Sequence, residues 1–191
     1  MAILGNNDIT SSFQTYIMPD NYYYKMVLTG AAPVSAAIQS ISFYMDTNNL
    51  FSGEFYKLAI WNASTGALVY GDTTYRAYPG GVGYIWTTVS LQSAASIVAG
   101  TSYYIGMWGY SKTYGWSGPR LRSRYVVGST NGGSYWGSYP WVNPLNLASI
   151  NMKEYQPCMY LTYTSGPSLK IEGITPGKLE YTSWSQISTV R

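Results

Sequence analysis

Short runs of aromatic and β-branched residues, each cut off by Gly, Pro, Asn or Asp, repeat along almost the whole chain and favour a stack of antiparallel strands. YYYKMVLTG from Tyr22, AIQSISFYMD from Ala37 and EFYKLAIW from Glu54 are of this kind, and GYIWTTVSL, TSYYIGMWGY, RLRSRYVV and QPCMYLTYT follow. In the second run Ile41, Phe43 and Met45 alternate with Ser40, Ser42 and Tyr44; in the third, Tyr56, Leu58 and Ile60 alternate with Phe55, Lys57 and Ala59. Side chains along a strand point alternately to its two faces, so each run has one face for a core. WNASTGALVY sets a Gly-containing turn between two runs and predicts a hairpin. Its Asn62-Ala63-Ser64 also fits the glycosylation pattern, but the turn reading is preferred. No segment keeps a helical period over about ten residues, although SLQSAASIVAG could make one short turn of helix. About nine strands at near-regular spacing predict an all-β fold, an antiparallel β-sandwich of the jelly-roll kind. The sandwich is expected to fill residues 1–165, with 166–191 an extended C-terminal segment.

The side chains narrow what such a sandwich can do. There is no histidine, which removes Ser-His and Cys-His dyads and imidazole metal ligands. The carboxylates Asp8, Asp20, Asp46, Glu54, Asp72, Glu154, Glu172 and Glu180 are scattered and form no calcium loop, so no metal, cofactor or catalytic residue is expected. A glycosidase needs only two carboxylates brought together by folding, which leaves a glycoside-cleaving domain as a third reading. A net charge of +3 is too small to predict a nucleic-acid partner. Cys158 is the one cysteine, so no internal disulfide supports the fold. The N-terminus lacks a secretory pattern and no apolar run is long enough for a membrane helix, so synthesis in a cytoplasm without membrane insertion is expected. Charged residues are only 10% and aromatics 17%, with 21 Tyr, a composition that suits a surface covered by partners.

GTSYYIGMWGYSKTYGWSG, residues 100–118, splits in two. Tyr103, Ile105 and Met107 share one strand face and are expected in the core. Beyond them, Gly109, Gly115, Gly118 and Pro119 mark a loop that carries Tyr110, Tyr114 and Trp116. A second loop, residues 128–144, carries Tyr135, Trp136, Tyr139 and Trp141 among small residues. Two readings stand for these rings: rigid aromatics facing a ligand, as in antibody loops, or a cap over an open end of the sandwich. Between the loops, Arg120, Arg122 and Arg124 alternate with Leu121, Ser123 and Tyr125. They form either a solvated edge that blocks strand pairing or a patch for an anionic partner, such as an acidic polysaccharide.

The succession LAIWNASTGALVYGDTTY, GYIWTTVSL and IVAGTSYYIGMWG, with LGNNDITSS at the start, resembles a widespread β-sandwich adhesion or decoration module across residues 4–164. Such modules occur on phage tail and virion proteins and on secreted glycan-active proteins. After Gly166-Pro167 the KIEG, PGK and W-x-x-I pattern also looks like terminal segments of phage structural proteins. The resemblance implies a non-enzymatic virion component, a capsid decoration or tail-fibre protein that acts in particle assembly and host-glycan attachment. Its expected partners are other virion proteins, itself as a homo-oligomer of the trimeric kind, and a host surface polysaccharide. Ile171, Leu179, Trp184 and Ile187 are the expected assembly contacts. A free carbohydrate-binding module is the alternative.

Overall fold

The computed structural model describes residues 1–9, 13–17, 23–46, 55–78, 83–110, 120–136 and 140–164. Its strands are β1 (Ala2–Gly5), β2 (Phe13–Ile17), β3 (Tyr23–Leu28), β4 (Ala36–Asp46), β5 (Phe55–Asn62), β6 (Leu68–Gly71), β7 (Arg76–Ala77) and β8 (Tyr84–Ser90). They continue as β9 (Ser96–Ile97), β10 (Tyr103–Tyr110), β11 (Arg120–Tyr125), β12 (Gly132–Trp136), β13 (Asn151–Lys153), β14 (Tyr155–Pro157) and β15 (Met159–Tyr163), with one 3-10 turn at Leu147–Ser149. They form two antiparallel sheets. The first runs β1-β15-β4-β11-β14, with β2 beside β11 and with β8 and β9 beside β4; the second runs β13-β12-β3-β10-β5-β6, with β7 beside β5.

The sheets pack face to face as a β-sandwich, and the predicted alternation supplies the core. Ile41, Phe43 and Met45 of β4 meet Tyr56, Leu58 and Ile60 of β5 and Tyr103, Ile105 and Met107 of β10 in one cluster, joined by Leu121, Met159 and Leu161. Cys158 sits where β14 passes into β15. Its N–H donates to the Arg122 carbonyl at 2.9 Å and its carbonyl accepts from the Tyr44 N–H at 3.0 Å, so one residue ties β11 to β4. The thiol is fully buried, and burial pushes its pKa up to about 11.

The hairpin forms as predicted, with β5 paired to β6. The Asn62 side-chain oxygen accepts the N–H groups of Ser64 at 2.9 Å and Thr65 at 3.1 Å, and Gly66 takes φ 71°, the left-handed turn that glycine adopts without strain. The helical turn considered for SLQSAASIVAG is absent. Ser96 and Ile97 pair with Ala37 and Ala36, and the Ala95 carbonyl accepts the Ile38 N–H at 2.9 Å, so strand pairing engages this backbone while Ile97 is buried.

The second sheet departs from the expected pattern of one buried face. Lys57, Ala59 and Trp61 of β5, on the side away from the core, are buried as completely as their neighbours. A second apolar cluster covers this face: Tyr24, Met26, Ala59, Trp61, Tyr104, Trp108 and Tyr135 from the strands, with Leu145 and Ile150 laid over them and Trp141 and Val142 packed beside. Lys57 keeps its charge satisfied by donating Nζ to the Thr73 carbonyl at 2.8 Å and by lying 4.4 Å from the Tyr75 ring centroid. Segment 140–150 is therefore a structural layer. Its backbone is anchored by the Leu145 N–H on the Gly66 carbonyl at 2.7 Å.

Candidate functional site

With the outer face of the second sheet covered, the outer face of the first is where described side chains reach outward. The alternation that sends Phe43 and Met45 inward sends Tyr44 outward, and the same parity on β8 and β15 turns out Tyr84, Trp86 and Tyr160. Register then brings them together: Tyr44 pairs with Trp86, Asp46 with Tyr84, and Ser42 with both Thr88 and Tyr160. The rings touch in series. Tyr160 lies 5.0 Å from Trp86, Trp86 lies 5.2 Å from Tyr44, and Tyr44 stacks on Tyr84 at 5.9 Å with 27° between planes. All four are half-buried, so each keeps part of its surface in contact with solvent.

Below the ribbon lies a row of small hydroxyls. Ser42 hydrogen-bonds Thr88 at 2.8 Å, and Ser40 hydrogen-bonds Thr162. Ser42 is fully buried because Trp86 and Tyr160, on the strands either side of β4, meet above it. A ribbon of ring edges and faces with polar tips offers apolar area together with hydrogen bonds, a combination that fits a ligand with an apolar face and a hydroxyl rim.

At its far end the ribbon meets β11. The Arg122 guanidinium carbon lies 4.6 Å from the Tyr84 ring centroid, a cation–π contact. Arg124 Nη1 pairs with Asp8 Oδ2 at 3.0 Å, both side chains being about a third exposed at 36% and 32%. Leu121 and Ser123, on the opposite face, are fully buried. The solvated-edge reading of this strand is corrected: β11 is interior, with β2 along one side and β14 and β4 along the other. A ring and a carboxylate, rather than water alone, accommodate two of the three like charges. Arg120 stands in register with Asp46.

The loop rings divide. Tyr135 is buried and stacks on Tyr24 at 5.9 Å with 17° between planes. Trp141 is half-buried; its Nε1 donates to the Asp72 carbonyl at 3.0 Å and its ring lies edge-on to Trp61 at 5.6 Å. These two are spent on packing, over a sheet face and not over an open end, because the outer side of the second sheet is itself aromatic. Tyr110 and Trp136 close β10 and β12 in register with Phe55 and Tyr23. Tyr114, Trp116, Tyr139 and the assembly set Ile171, Leu179, Trp184 and Ile187 lie outside the described residues.

No protein-family model and no curated protein matches this chain. The resemblance in the sequence is met at the level of the fold, an antiparallel sandwich of two sheets. Among the described residues, no group of three or more His, Cys, Asp or Glu could hold a metal ion, and no helix is long and apolar enough to cross a membrane. Tyr44, Tyr84, Trp86 and Tyr160 are the residues that loop composition overlooked. Their signal was present as large rings at the outward parity of three strands.

Proposed function

We propose that this chain is a non-enzymatic adhesion module, a virion structural protein whose sandwich holds host-surface glycan against the outer face of its first sheet. The observation that carries glycan binding is the contiguous series Tyr160, Trp86, Tyr44 and Tyr84, half-buried rings on a rigid sheet. Sites on strands hold their geometry better than sites on loops, and stacked rings need no ordering when a sugar face is laid on them. Particle assembly is supported by the sequence resemblance and by the apolar pattern of residues 166–191.

Trp86→Ala and Tyr160→Ala are expected to weaken retention in polysaccharide-containing gels by about tenfold each, the cost of losing one well-stacked ring. Both variants should unfold close to the wild-type midpoint, since each ring is only half-buried. Unchanged retention by both would remove the ribbon from the binding function.

A free carbohydrate-binding module would use the same face, and the two roles separate at the tail. In the virion role, light scattering of the full chain gives an oligomer, and substituting both Trp184 and Ile187 by Ser lowers the mass to one chain. A monomeric wild type across the concentration series favours the free module.

A further inference from the structure

A cleft of about 360 Å³ opens where the turn between β5 and β6, the end of β3 and the loop from β9 to β10 come together. It lies against the second sheet, the one that does not carry the ribbon. Its backbone is braced: the Gly100 N–H donates to the Ala32 carbonyl at 2.8 Å, the Ala32 N–H to the Thr101 carbonyl at 2.9 Å, and the Ala63 N–H to the Ser102 carbonyl at 3.0 Å. Those bonds tie the loop to the turn and fix the walls before any ligand arrives. Tyr104 is the most buried lining residue, at 9% exposure, with Leu28 and Ala63 half-buried beside it. Burial raises its pKa, and its hydroxyl bonds to no described group. A buried hydroxyl left without a partner is costly, and the cleft is where a ligand can supply one. The Thr101 and Ser102 hydroxyls also bond to no described group, and the Ser64 hydroxyl, which donates to Asn62 Oδ1 at 2.8 Å, keeps its lone pairs as acceptors.

The chemistry of these walls selects the ligand. Among the described residues no Asp, Glu, Lys or Arg lines the cleft, so a charged ligand would give up its water without a counter-charge. Hydroxyls donate and accept alike, and they best match a ligand whose own polar groups do both. The volume stands at the low end of the range for small-molecule sites, about 300–1,000 Å³, which suits one ring and not a chain of them.

We infer that this cleft is a second glycan site that takes a single neutral sugar ring, with C–H groups against Leu28 and Ala63 and hydroxyls bonded to those of Thr101, Ser102 and Tyr104. It needs none of the ribbon's residues, so the two sites stand or fall separately.

The experiment is two-dimensional amide NMR of the labelled full chain, titrated with the methyl glycosides of glucose, galactose and mannose. At least one glycoside is expected to shift the amides of Ala63, Thr101 and Ser102. Ser102→Trp, which fills the cleft, should abolish those shifts, and Tyr104→Phe should weaken the affinity about fivefold, the worth of one hydrogen bond. Shifts confined to Trp86, Thr88 and Tyr160 overturn the inference and leave the ribbon reading standing. No shift with any of the three sugars overturns it too, while the ribbon keeps its own test in polysaccharide gels. If Ser102→Trp does not fold, equal affinity in wild type and Tyr104→Phe overturns the inference on its own.

Discussion

Trp61→Ala lowers the unfolding free energy by about 3–5 kcal/mol, the range for emptying a large aromatic site in a packed interior. Trp61, in the layer between the second sheet and segment 140–150, is the largest fully buried side chain among the described residues. Its ring sits 5.7 Å from Tyr24 and 5.6 Å from Trp141, and its Nε1 donates to the Val142 carbonyl at 2.9 Å. The sheet makes room for it by having glycine directly beneath: a Cβ on Gly106 would come within 2.7 Å of Trp61 Cζ3. Removing the ring opens a cavity and frees a carbonyl at once, and it takes away one of the anchors of the segment that covers the face, leaving those at Leu145 and Trp141. Trp61→Phe should recover most of the loss, because it restores area but not the Val142 hydrogen bond. Urea unfolding checks both variants, and a loss below about 1 kcal/mol for alanine would mean that segment 140–150 is not a structural layer.

The second large effect lies beside the same stretch, where Trp141 Nε1 donates to the Asp72 carbonyl at 3.0 Å. Asp72→Ala costs about 3 kcal/mol, the lower end of the range for stripping one partner from a buried ion pair, because Arg76 keeps 16% of its side chain exposed. The Asp72 carboxylate is fully buried and holds four donors. Oδ2 accepts Arg76 Nε at 2.7 Å and the Leu58 N–H at 2.9 Å; Oδ1 accepts Arg76 Nη2 at 2.8 Å and the Tyr70 hydroxyl. The hydrogen bonds to Asp72 push the Arg76 pKa further above its ordinary value; a guanidinium stays protonated even without them, so the alanine variant leaves an uncompensated cation. Arg76 Nη2 also donates to the Ser90 carbonyl at 2.8 Å, and the Tyr70 hydroxyl accepts the Gln92 N–H at 2.9 Å, so the network reaches across to the end of β8. Asp72→Asn keeps an acceptor for Leu58 and is expected to fall between wild type and alanine. Equal unfolding midpoints for wild type and Asp72→Ala would show that the pair adds nothing net.

The core was legible because it is local. Alternation at Ile41, Phe43 and Met45, at Tyr56, Leu58 and Ile60, and at Tyr103, Ile105 and Met107 needs only the period of a strand, and all nine side chains reach the interior. What covers a sheet's other face depends on pairing between distant segments. Trp141, Val142 and Leu145 are broken up by Asn143 and Pro144 and read as loop, yet they pack on Trp61 and Tyr24. Asp72, in the turn-like GDTT, reads as a solvated acid and is fully buried. The ribbon falls between these cases. The outward parity of Tyr44, Tyr84, Trp86 and Tyr160 is written in each strand, but their convergence depends on the register of β8 and β15 against β4, which periodicity leaves open. Of the two readings open for the arginine strand, the edge fails for the same reason, since its neighbours β2 and β14 come from the two ends of the chain.

The most direct test of the account is hydroxyl-radical footprinting of the full chain, read residue by residue by mass spectrometry, with and without a bound polysaccharide. Tyr44, Tyr84, Trp86 and Tyr160 should lose reactivity on binding, while Trp61 and Trp108, already buried, stay unreactive in both samples. Protection confined to the loop rings Tyr114 and Trp116, with the four sheet residues unchanged, would contradict it and return the binding function to the loops.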